Sequence, residues 1–187
     1  MLQHGISMMV IESDQVWMSD VSSVLNRAFS QDVDFIAGNE RANENNVEEW
    51  YICGGFYGII SSDITRTFFK RYLRLHHDRL MKYKSTTGQI NVENDQALLS
   101  RLVRKDNLRV HWLNRCEYTN GMWYVSDDFR SSCSALKIVH NNYIVGNGNK
   151  VTRAKKWGHW FVQNETCSGG IGRDTLYLNM TSAFIDK

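Results

Sequence analysis

Short apolar runs alternate with longer amphipathic stretches along this chain, the pattern of an α/β protein. Ile6 to Trp17 reads as a buried strand that ends in polar residues, with Glu12 and Asp14 one residue apart. Asp20 to Phe29 suits a short helix with Asp20 as its N-cap, and Asp32 to Ala37 reads as the next strand. Gly38 to Glu49 is a polar loop by composition. Trp50 to Ile60 is a second strong strand interrupted by Gly54 and Gly55. Glycines inside a strand mark a close approach of ligand or backbone, or a β-bulge, so the pair is read as a floor under a substrate, a bulge, or both.

Ser61 or Ser62 can cap a helix running to about Tyr83, with Ile64, Phe68, Tyr72, Leu75 and Leu80 at helical spacing. His76 and His77 lie within it as surface residues. Asn94 to Arg104 is a second helix opening on acids, which are ordinary dipole partners there. Strands are expected at Leu108 to Leu113 and at Ala135 to His140. Between them lies an aromatic, glycine-containing segment from Cys116 to Tyr124. A helix is expected from about Lys150 to Trp160, and after Phe161 the periodicity is lost. These boundaries give one domain over 1–161 and a loosely ordered tail over 162–187, without internal repeats.

Composition changes this picture little. A chain of 187 residues with 42% hydrophobic and 22% charged positions can bury a real core and is not disordered. Its net charge of +2 is spread out, so no nucleic-acid footprint stands out. No run approaches the roughly 20 apolar residues a membrane span needs, and the first residues do not read as a signal peptide. The cysteines at 53, 116, 133 and 167 show no C-x-x-C spacing, which argues against a structural zinc site. They permit disulfides or buried free thiols. Asn164-Glu165-Thr166 and Asn179-Met180-Thr181 fit the N-glycosylation pattern and lean towards a secreted or luminal context.

Two hard oxygen ligands, Glu12 and Asp14, converging at a strand end suit a divalent cation such as Mn2+ or Mg2+, and such a cation can hold a diphosphate. His140 at another strand end, an acid at a helix start (Asp95) and the basic stretch around Lys150 complete a set suited to transfer from a nucleotide sugar. The order and wording of these motifs resemble the nucleotide-diphospho-sugar transferases of the GT-A type, especially the plant arabinosyl- and xylosyltransferases and their animal relatives. Glu12-Ser13-Asp14-Gln15-Val16-Trp17 is similar to that family's acidic motif. Cys53-Gly54-Gly55-Phe56-Tyr57 falls where the family has Asn-Ser-Gly-Phe-Tyr, with Cys53 in place of Asn. Asn94-Asp95-Gln96 resembles its Asp-Gln helix start, Tyr118-Thr119-Asn120-Gly121 its aromatic-x-Asn-Gly turn, and His140-Asn141-Asn142, Gly146, Lys150, Gly158 and Trp160 its closing pattern.

The resemblance implies a GT-A-like (Rossmann-like) mixed sheet flanked by helices, with Asp14 as main metal ligand, Glu12 supporting metal or ribose, and His140 as a further ligand. It places Lys150 near the diphosphate and Asp95, as the catalytic acid group, near sugar or acceptor, with Gln96, Gly54 and Gly55 lining the substrate. It implies a UDP-sugar donor, a glycan or glycoprotein acceptor, and a Golgi or secretory-pathway lumen. The family's acidic motif follows a whole βαβ nucleotide-binding half, whereas almost nothing precedes it here, so the expectation is a sheet lacking that half. The competing expectation is a non-catalytic module that grips a glycan or partner with Trp50, Trp112, Trp123 and Trp157.

Overall fold

The computed structural model describes residues 1–40, 50–85 and 94–161. It is a mixed α/β structure, with two compact units, 1–145 and 146–187. In the first, a 3-10 turn at Leu2–His4 precedes β1 (Met8–Ile11), β2 (Gln15–Trp17), α1 (Ser22–Phe29), β3 (Phe35–Asn39) and β4 (Ile52–Ile59). Then come α2 (Asp63–Ser85), α3 (Asp95–Lys105), β5 (Val110–Trp112), β6 (Tyr118–Thr119), α4 (Met122–Val125), α5 (Asp127–Ser132) and β7 (Ile138–His140). The second unit contains α6 (Asn147–Lys156). The 162–187 segment, with both glycosylation triplets, lies outside the described residues.

Two mixed sheets form, with strand orders β1-β4-β3-β5 and β2-β7-β6. In the larger, β4 runs antiparallel to both β1 and β3, and β5 runs parallel to β3. The strands β1, β3 and β5 therefore point the same way, and their C-terminal ends share one rim with the start of β4. Strand alternation divides the core in two. Phe35 and Ala37 of β3 face a cluster with Phe68, Tyr72, Leu98 and Leu102 from α2 and α3. Ile36, between them, faces Val21, Phe56, Tyr118 and Ile138 on the side of the smaller sheet.

Ile6 to Trp17 is not one buried strand. It divides into β1 and β2, which belong to different sheets. Along it Ile11 is 51% and Trp17 41% exposed, because β1 and β2 are each an edge strand that pairs on one side only. The first helix begins at Ser22; Asp20 Oδ1 accepts from the Ser22 amide at 2.8 Å, a local turn outside the helix. Those bonds favour the charged carboxylate and hold the Asp20 carboxyl below its ordinary value. Helix α2 is capped by Ser62, whose Oγ accepts from the Thr65 amide at 3.1 Å. Its buried face passes through Thr65, Phe68 and Tyr72, while Ile64 and Leu80, expected on that face, are 55% and 41% exposed. His76 stacks on Tyr72 with ring centroids 6.1 Å apart. Asn94 is the cap of α3, accepting from the Ala97 amide at 2.7 Å.

Cys116 and Cys133 form a disulfide that ties the turn before β6 to the end of α5, and Cys53 is a buried free thiol. Disulfides persist in oxidising, extracytoplasmic compartments. Among the described residues no helix is long and apolar enough to cross a membrane.

Candidate cation site at the sheet rim

Glu12 and Asp14 sit in the turn between β1 and β2, not on one strand face, so their convergence comes from the turn and not from strand periodicity. Backbone bonds clamp that turn from both sides. The Glu12 amide donates to the Gly55 carbonyl at 3.0 Å, and the Asn141 amide donates to the Asp14 carbonyl at 3.0 Å. The Gln15 side-chain amide donates to the same Gly55 carbonyl. In the smaller sheet Gln15 lies opposite His140, which brings the imidazole to the acids.

His140 Nε2 lies 2.8 Å from Glu12 Oε2 and 3.2 Å from Asp14 Oδ1. The His140 side chain is 7% exposed, Asp14 17% and Glu12 55%, so the site opens to solvent through Glu12. Buried Nε2 makes no hydrogen bond of acceptable geometry, although two carboxylates stand beside it. Two carboxylate oxygens and one imidazole nitrogen within 4.8 Å of one another form a donor set that fits a hard or borderline divalent cation.

The glycines of β4 explain how the ring fits. The pairing of β3 with β4 steps irregularly between Ala37/Tyr57 and Asn39/Ile52, so the segment holding Gly54 and Gly55 bulges. A Cβ on Gly55 would lie 2.5 Å from His140 Cε1, and one on Gly54 would lie 2.9 Å from Gln96 Oε1. Gly55 thus floors the imidazole, and Gly54 faces Gln96. Asp95 is exposed in the first turn of α3, its Oδ1 accepting from the Gln96 amide at 2.9 Å. Its charge, after burial and Tyr72, helps push Tyr57 up to about 12. Asp95 is in neither cluster of metal-ligand type found among the described residues. Lys150 is on α6, in the second unit.

Sequence reasoning missed Glu40 and the role of Cys53. Cys53 Sγ contacts His140 Nδ1 at 3.4 Å, on the ring edge opposite the acids. Burial, with the Glu40 charge beside it, pushes the Cys53 thiol up. Glu40 follows directly after β3 and is anchored by residues of the expected Asn-Gly and His-x-Asn turns. Its Oε1 accepts from Asn142 Nδ2 at 2.7 Å and its carbonyl accepts from Asn120 Nδ2 at 2.8 Å. Asn142 Oδ1 in turn accepts from the Gly121 amide at 2.6 Å. Burial and the Glu40 charge raise the neighbouring Tyr143 phenol to about 12. The Asn positions were visible as motif letters, but nothing in the sequence distinguished Glu40 from the polar loop it opens.

A rim where acids from the turn linking the two sheets meet a buried imidazole is an arrangement of cation-dependent transferases and hydrolases alike. Family comparison selects between them. Residues 1–154 match the model of the nucleotide-diphospho-sugar transferase family, and the chain belongs to that family. It is 25% identical over 178 residues to UDP-galactose:fucoside alpha-3-galactosyltransferase of Dictyostelium discoideum, covering 88% of this chain and 26% of that protein. It is 21% identical over 188 residues to UDP-D-xylose:L-fucose alpha-1,3-D-xylosyltransferase 3 of Arabidopsis thaliana, covering 94% of this chain and 48% of that protein. The chain therefore spans half or less of the length of these relatives. Among solved structures it matches the apo-form glycosyltransferase GlyE of Streptococcus pneumoniae TIGR4, with a TM-score of 0.48 and 18% identity over 84% of this chain and 39% of that one.

Proposed function

We propose that this chain carries the cation-binding rim of a metal-dependent glycosyltransferase that moves a sugar from a nucleotide-diphosphate donor, of the UDP type, to a glycan or protein acceptor. The observation that carries this reading is the convergence of Glu12, Asp14 and the unsatisfied Nε2 of His140 in a chain of this family. UDP-sugars and fucosides stand in the names of the relatives, which supports the donor class and makes a fucosyl acceptor the first to try.

Asp14 and His140 would hold Mn2+ or Mg2+, with Glu12 completing the set or reaching the ribose. The bound cation would neutralise the departing diphosphate as the glycosidic bond weakens. The protein's own contribution is placement. The bonds from the Glu12 and Gln15 nitrogens to the Gly55 carbonyl keep the acidic turn against β4, and Gly55 leaves room for the ring. Gln96 over Gly54 is assigned to the sugar or acceptor and Asp95 beside it to the reacting carbon as an acid group. A low-exposure imidazole between carboxylates keeps its orientation without a reorganisation cost when the donor arrives. The disulfide favours a Golgi or secretory lumen.

A non-catalytic glycan module is favoured by one feature. Trp50 and Trp112 meet edge to face, centroids 5.1 Å apart, and line a cleft of about 460 Å3 with Asn39, Asn114 and Arg115. Calorimetric titration of UDP with Mn2+ and then EDTA separates the readings. The transferase reading expects Mn2+-dependent binding that Asp14→Ala abolishes with the fold intact. Binding retained in Asp14→Ala would sink the assignment, and chelator-indifferent binding of a fucosylated glycan alone would leave the module reading.

A further inference from the structure

The edge of the His140 ring that faces away from the acidic turn has ligands of its own. One ligand atom each from Glu40, Cys53 and His140 lies within 4.8 Å of the others, and Cys53 and His140 are each 5% exposed. Glu40 Oε2 is buried without a hydrogen bond. Beside this group is a cavity of about 10 Å3 lined by Gln15, Cys53, Tyr118 and His140, room for roughly one water or one ion. Gln15 Oε1 and the Tyr118 hydroxyl, on two of its walls, are likewise buried without partners. A buried carboxylate oxygen beside a thiol, an imidazole and a void of atomic size is a donor set that suits a cation.

We propose that Cys53 Sγ, His140 Nδ1 and Glu40 Oε2 form a second metal site, selective for a thiophilic ion of the Zn2+ class. The observed Sγ to Nδ1 distance of 3.4 Å is close to the roughly 3.5 Å that a tetrahedral ion holds between a thiolate at about 2.3 Å and an imidazole at about 2.0 Å. Charge balances as well. A divalent ion with one thiolate, one carboxylate and a neutral imidazole is neutral overall, which a buried position requires. The Cys53 thiol proton leaves to solvent as the sulfur–metal bond forms. The Nε2–H of His140 then donates to Glu12 or Asp14, the carboxylate–histidine–metal arrangement that fixes a ligating ring.

A neutral imidazole has one lone pair. A soft ion on Nδ1 therefore leaves Nε2 protonated and unable to ligate a cation at the acidic turn, so the two sites exclude each other through one ring. This coupling rests on the transferase reading above; the soft site itself does not.

Co2+ alone, titrated into the 187-residue, disulfide-intact chain without nucleotide, reads the site directly. A saturable sulfur-to-cobalt charge-transfer band is expected in the wild type and in Asp14→Ala. Cys53→Ser loses it, Cys53→Ala serves if the serine variant fails to melt cooperatively, and Glu40→Gln weakens the ion at least tenfold. No band in the wild type, or a band that survives in the Cys53 variants, overturns the proposal. Zn2+ loading should also abolish Mn2+-dependent UDP binding; undiminished binding by the Zn2+-loaded protein refutes the shared ring. Should UDP fail to bind under any condition, the transferase reading falls and the cobalt spectrum still decides the site.

Discussion

Replacing Gly55 by alanine puts a methyl group inside the contact shell of the His140 ring. The added Cβ would lie 2.5 Å from Cε1 and 2.9 Å from both ring nitrogens, whereas unstrained carbon contacts begin near 3.5 Å. The ring or the strand beneath it must therefore move by about 1 Å. Neither moves freely. His140 sits on β7, paired with β2 on one side and β6 on the other, and its side chain is 7% exposed. Gly55 is not among the glycines with positive φ, so space and not backbone conformation is what excludes a side chain. Overpacking of this kind costs roughly 1–3 kcal/mol, and each kcal/mol lowers the melting temperature by about 2–4 °C in a protein of this size. A shift of about 1 Å in Nε2 also spoils its approach to Glu12 and Asp14, for which a ~10–100-fold loss of cation-dependent UDP affinity is expected. Thermal melts and calorimetry of Gly55→Ala measure both, with Gly148→Ala as the control. Gly148 lies in α6 with nothing within 4 Å of its added Cβ, so alanine there should be neutral or mildly stabilising. A Gly55→Ala protein that melts and binds like wild type would refute the claim that this glycine makes room for the ring.

Reducing the Cys116–Cys133 disulfide, or replacing both cysteines by serine, opens a link between residues 17 apart and should cost about 3 kcal/mol on the loop-entropy model; urea unfolding with and without reductant reads it. Asn120→Ala removes the part-buried bonds to the Glu40 carbonyl at 2.8 Å and from the Met122 amide at 3.0 Å, an expected loss of about 1–3 kcal/mol. The same titration of unfolding checks it, and an unchanged midpoint would show that Glu40 does not depend on this anchor. Burial holds His159 below its ordinary value of 6.5, so its folded form resists protonation. Its contribution is intact above pH 6.5 and is lost as pH falls from there through the lower folded value. His159→Gln should therefore flatten the decline of melting temperature on acidification below pH 6.5; an identical pH slope in the variant would show that the penalty is not carried by this residue.

The elements that could be read from the sequence are those whose local signal agrees with their tertiary role. The run from Trp50 to Ile60 became β4 because glycine-spaced apolar residues bury on both faces there. Asn94 before Asp95-Gln96 announced α3, where cap and side chains act locally. Misreadings arose where the partner, and not the segment, decides. Ile64 and Leu80 have the spacing of a core face but point away from the sheet, since one helix can satisfy more than one apolar stripe and only packing chooses. Ile6 to Trp17 has the composition of a buried strand, yet where it breaks between the two sheets depends on pairings with β4 and β7, 40 and more residues away.

The site shows the same division more sharply. Glu12, Asp14 and His140 were readable because their chemistry restricts them to few roles and their order along the chain resembles a family. Glu40 and Cys53 were not, because their meaning comes from a ring they approach across sequence separations of about a hundred and 87 residues. His140 joins both groups: its Nε2 faces the acids and its Nδ1 faces the thiol. A neutral imidazole cannot lend both nitrogens as lone pairs at once. Whatever occupies one edge of that ring therefore sets what the other edge can bind. Gly55, which excludes any side chain beneath the ring, keeps that choice confined to the two edges.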